Sequence, residues 1–69
     1  MIGEIIKRER EIHDMTTKEL AALSGVPMQS LYNQEHGKKD LTIDELFKVD
    51  KVFDNDIVWE LVTYYGGQS

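Results

Sequence analysis

The chain has 69 residues, no cysteine and a formal net charge of −5, with 41% hydrophobic and 30% charged residues. That is one domain with a small core, because a chain of this size buries only about 60% of its unfolded surface. The composition excludes disulfides and thiolate metal sites, and it lacks the basic excess by which nucleic-acid binders usually attract phosphate.

No apolar run approaches the roughly 18 residues that span a bilayer, and no signal-peptide pattern is visible, so a cytoplasmic protein with no membrane contact is expected. His13 and His36 lack ligand spacing, and neither a metal nor another cofactor is expected. A core this small calls for added support, and a partner chain is the available source.

Apolar residues recur at helical spacing nearly throughout, and no stretch alternates as a strand. The expected fold class is all-α: a compact five-helix bundle forming a single domain over residues 1–69. The first helix runs from about Ile2 to Ile12, with Ile2, Ile5 and Ile6 on one side and Ile12 further along. His13-Asp14-Met15 interrupts the pattern. Thr16 or Thr17 can cap a short second helix, and Thr16 with Glu19 has the spacing of a capping box; the helix reaches Ser24 with Leu20, Ala21 and Leu23 as its apolar residues. Gly25 suits the left-handed residue that ends it. Pro27 fits the first turn of a third helix, where its missing N–H costs nothing. That helix runs to about His36, and Gly37 ends it.

Lys38-Lys39-Asp40 reads as a solvated turn. Thr42 and Glu45 form a second capping box and open a fourth helix that reaches about Phe53. Its Ile43, Leu46, Phe47, Val49, Val52 and Phe53 make a broad apolar stripe. Asp54-Asn55-Asp56 is a turn and cap cluster before a fifth helix from about Ile57 to Tyr65, followed by Gly66-Gly67. Ile57, Val58, Trp59, Leu61, Val62, Tyr64 and Tyr65 cover most of that helix's circumference, an arc too wide for a monomer's surface helix. Trp59, Val62 and Tyr65 are the candidate interface residues.

Thr16 to Gly37 is a short helix, a glycine-containing turn and a second short helix, with Ala21 small at the crossing and Val26 and Leu31 facing the core. The segment Leu20-Ala21-Ala22-Leu23-Ser24-Gly25-Val26, followed by Glu35-His36-Gly37-Lys38, resembles the helix-turn-helix of the Cro/C1-repressor type, also called the xenobiotic-response-element family. Leu41-Thr42-Ile43 and the fourth helix add to the likeness, which covers about residues 2–53. Residues 54–69 hold the final helix.

Several things follow from the resemblance. Arg10 and Glu35 match family positions that form a largely buried ion pair between helices 1 and 3. Helix 3 enters the major groove of a double-stranded DNA operator, and Met28, Gln29, Ser30, Tyr32 and Asn33 are the base-reading candidates. Thr17, Lys18, Lys38 and Lys39 are the phosphate candidates. Gln29 suits adenine, and Met28 or Tyr32 suits a thymine methyl. The sequence departs from the family at Thr17, where Gln is common, at Glu9 and Gln34, where apolar residues are usual, and at Asp50, where a small residue is common.

No carboxylates group around a cleft; they are expected on solvent-facing helix positions, and a chain this short has little room for a substrate pocket of about 300 Å3 or more. The protein is expected to bind, not to catalyse. Two functions fit. One is a small DNA-binding transcriptional regulator of the phage-repressor type, acting as a homodimer. The other is a helix-turn-helix domain in a hetero-complex with a repressor-like protein, as an anti-repressor masking that protein's DNA-binding surface. The first is the leading reading; the acidic net charge, the absence of Lys or Arg in helix 3 and the apolar Met28 and Tyr32 are what support the second as its alternative.

Overall fold

The protein is represented by a computed structural model that describes the backbone of residues 2–66 and side chains as far as Tyr64. Expectations that fall on Met1, on residues 67–69 or on the side chain of Tyr65 lie outside the described residues. Five helices follow one another: α1 (Ile2–Ile12), α2 (Thr17–Ser24), α3 (Met28–Glu35), α4 (Ile43–Val52) and α5 (Asp56–Gly66). Among the described residues there is no strand.

The helices begin where their caps dictate. Thr16 accepts a hydrogen bond from the Glu19 N–H while Glu19 accepts one from the Thr16 N–H, and Thr42 and Glu45 repeat the arrangement at α4. These bonds hold both glutamates below the usual carboxylate range; for each, the largest cause is the bond from the backbone of its capping threonine. Gly25 ends α2 in the left-handed conformation, φ 77°, with its N–H donating to the Ala21 carbonyl.

Four boundaries differ from expectation. Pro27 is the cap residue before α3 and not part of its first turn, because its ψ of 138° is extended. His36 and Phe53 close α3 and α4 as cap residues. Asp56 belongs to α5 itself. The cap of α5 comes from a distance: one carboxylate oxygen of Asp50, in α4, accepts the N–H groups of Ile57 at 3.0 Å and Val58 at 3.2 Å.

Ile5, Ile6, Leu20, Val26, Leu31, Val49, Phe53 and Ile57 form the core, so every helix except α3's outward side and α5's outer side contributes to one cluster. α3 packs on α1 and α2, α2 on α4, and α5 on α1 and α4. Arg8 and Glu60 form an exposed ion pair that ties α1 to α5. The expected apolar stripes are narrower than the sequence suggests: Ile12, Leu23, Ile43 and Phe47 are exposed. The carboxylates do not all face solvent either. Glu9 and Asp50 are buried, and the Glu35 side chain is only 5% exposed. Arg10 pairs with Glu35 and two backbone N–H groups bond Asp50, as buried charges require, while the Glu9 carboxylate lies 3.8 Å from His13 Nε2.

Candidate nucleic-acid interface

The placement of α3 starts with Arg10. Its Nε and Nη2 donate to the two carboxylate oxygens of Glu35 at 3.1 and 3.0 Å, and its Nη1 donates to the Met15 carbonyl at 2.8 Å. One guanidinium therefore holds α1, the α1–α2 turn and α3 together. The Glu35 hydrogen bond is the main cause of a raised Arg10 pKa. Gly3 sets how close α1 comes: a Cβ there would lie 2.3 Å from the Gln34 carbonyl oxygen. Leu31, Gln34 and the Glu35 side chain face inward, which leaves the opposite side of α3 outward.

At 100° per residue, Gln29 and Asn33 lie along the crest of that outward side. Gln29 Nε2 donates to Asn33 Oδ1 at 3.0 Å, joining the two amides one turn apart. Toward α2, Thr17, Met28, Gln29 and Tyr32 line a shallow depression of about 170 Å3. Met28 is 53% exposed and Tyr32 42%. Toward α4, Ser30, Asn33 and Lys39 line a second depression with Asp40, Thr42 and Glu45. The Ser30 hydroxyl and the charge of Lys39 both help to lower the Glu45 pKa, after the dominant Thr42 bonds.

Two residues with no assigned role turn out to organise this end of α3. His36 stacks on Tyr32, ring centroids 3.9 Å apart, and Lys38 Nζ lies 5.1 Å from the Tyr32 centroid. Tyr32 is thus braced from its own helix end, and Lys38 sits against an aromatic ring. Gln34, buried at 5% exposure, donates to Asp40 Oδ1 and accepts the Leu41 N–H at 2.8 Å, pinning the loop that carries Lys38 and Lys39. Gln34 was visible in the sequence only as a departure from an apolar preference, and His36 only as part of the family segment after α3 and as a histidine without ligand spacing. The fourth phosphate candidate, Lys18, is exposed in the first turn of α2.

Eight of the nine candidates thus lie on or beside the two depressions that flank α3 or on Tyr32's ring. Trp59 and Val62 lie elsewhere, on α5, at 69% and 58% exposure. Among the described residues no group of His, Cys, Asp and Glu side chains could hold a metal ion, and no helix is long and apolar enough to cross a membrane.

A family model described as helix-turn-helix matches residues 6–59. A protein of Thermococcus kodakarensis named "Putative HTH-type transcriptional regulatory protein" is 36% identical over 52 residues, which is 75% of this chain and 16% of that one. A namesake from Thermococcus gammatolerans is 34% identical over 55 residues, 80% of this chain and 17% of that one. The chain therefore spans less than a fifth of the length of these relatives. No solved structure matches it significantly. With a glycine-turned α2–α3 unit locked by Arg10 and Glu35, and a family model that matches from the middle of α1 into α5, this chain belongs to the Cro/C1-type helix-turn-helix family of transcription regulators.

Proposed function

We propose that the chain is a DNA-binding regulatory domain of the phage-repressor type that sets α3 in the major groove of an operator. The observation that carries this reading is the crest of α3: the exposed amide of Gln29 bonded to the half-buried amide of Asn33, between two shallow flanks. After that bond Gln29 keeps one N–H and its carbonyl oxygen, the donor and acceptor that adenine's N7 and N6 require. The Met28–Tyr32 flank is apolar enough to receive a thymine methyl. Thr17, Lys18, Lys38 and Lys39 hold the phosphates, with Lys38 steadied by the Tyr32 ring.

An eight-residue helix is about 12 Å long and covers about four base pairs. That is too little sequence for an operator, so two copies act together, paired through the outer face of α5 with Trp59 at its centre. Half-sites then lie one helical turn apart, about 34–36 Å.

Selection of duplexes from a random library by the intact chain tests the reading. A recurring motif, rich in A·T pairs, is expected, with its sequence preference lost in Gln29→Ala while the fold is kept. Absence of any enriched duplex, together with a nuclease-resistant protein recovered from the host on the same face, would replace the reading with a protein-binding one.

A further inference from the structure

A groove of about 610 Å3 runs between the C-terminal ends of α2 and α4. Met15, Leu23 and Val52 give it an apolar floor, the turn at Ser24 and Gly25 closes one side, and Lys48 and Lys51 stand at its edge. It shares no residue with the face of α3 described above. Leu23 is 64% exposed, a large apolar group left uncovered on α2.

The charge of the groove is the opposite of the molecule's. The chain carries −5, whereas the groove lining holds two cations and no anion. Among the described residues Lys51 has no carboxylate within ion-pair distance, and that of Lys48 is Asp44, one turn back on the same helix at 3.2 Å. Both members of that pair are largely exposed, so the pair is weak and Lys48 is open to another partner.

We propose that this groove docks an acidic amphipathic helix of a partner protein. The partner lays apolar residues at helical spacing on Met15, Leu23 and Val52, the helix-in-groove mode. Lys48 and Lys51, three residues apart on α4, take carboxylates spaced one turn apart on the partner. Because α3 is not involved, the complex forms on free and DNA-bound protein alike, and the domain links its operator to another protein.

The test is a display selection of random peptides about 15 residues long, enough for a few helical turns. The target is the intact chain, and the double variant Lys48→Glu, Lys51→Glu is the counter-target. Both lysines are exposed, and a thermal melt checks that the variant is folded. The enriched peptides are expected to carry Asp or Glu beside apolar residues at three- and four-residue spacing. Amide shifts on titration should be confined to Met15, Leu23 to Gly25 and Lys48 to Val52. Affinity should fall about tenfold or more in the double variant and return when the peptide's acids are changed to Lys, as expected for charge pairs at an interface. The proposal is overturned if no peptide is enriched, if the peptides bind the double variant equally, or if their shifts fall on Trp59 and Val62 or on α3.

Discussion

Arg10 and Gly3 fix where α3 stands, one by attraction and one by absence. Removing the Arg10 side chain leaves the Glu35 carboxylate buried with no counter-charge and strips the Met15 carbonyl of its donor. Arg10→Ala is expected to lower stability by about 3–5 kcal/mol, the cost of breaking a buried pair from one side. That is a large share of the roughly 3–10 kcal/mol that a domain of this size holds, at about 0.05–0.15 kcal/mol per residue. A denaturant titration reads it, and an unchanged midpoint would remove Arg10 from the account. At Gly3 the usual gain from Gly→Ala in a helix, about 1 kcal/mol, should reverse in sign. The added methyl meets the backbone of Gln34, which cannot swing aside as a side chain does. Gly3→Ala should lower the melting temperature and shift the amide signals of Gln34 and Glu35; a more stable variant would show that α1 and α3 are not in close contact.

At the scale of elements, the capping boxes made the starts of two of the five helices, α2 and α4, legible from the chain alone. Thr16 with Glu19 and Thr42 with Glu45 are local, and local bonds leave a local signature. What escaped was long-range. Asp50 stood out only as a departure from a small-residue preference, and its role stayed hidden because its partners, the Ile57 and Val58 N–H groups, lie seven and eight residues on. The breadth of the apolar stripe on α4 was overread for a related reason: periodicity tells which residues share a face, not how much of that face a short neighbour such as α2 covers. Asp50→Ala should leave the Ile57 N–H buried without an acceptor, at a cost of about 1–3 kcal/mol. Native-state hydrogen exchange should speed up in α5 well beyond α1–α4. Uniform acceleration across all helices would mean that α5 is not separately held by Asp50.

For the whole molecule, the family, the all-α fold and the ion pair could be read from motifs with fixed spacing. The finer layout of the candidate interface could not, since it depends on side-chain partners: Gln29 bonded to Asn33, Tyr32 against His36 and Lys38, Ser30 turned to Glu45. Association is the other molecular property at stake. Trp59 and Val62 leave an apolar face on α5 that a second copy covers in the proposed dimer. Trp59→Ala should shift sedimentation toward monomer and weaken operator binding without altering which sequence is preferred. A monomeric wild type at high concentration would rule out that pairing.

The central claim is that an acidic domain reads DNA through the amide crest of α3 with few cations. The dependence of operator affinity on salt tests it most directly. Each phosphate neutralised contributes about 0.9 to the slope of log affinity against log salt, so Lys18, Lys38 and Lys39 together predict a slope of about 3 or less per subunit. Lys38→Ala should reduce that slope by about 1 and weaken all duplexes alike, while Gln29→Ala leaves it unchanged and removes sequence preference. A slope well above 3 per subunit, with tight binding to any duplex, would contradict the account.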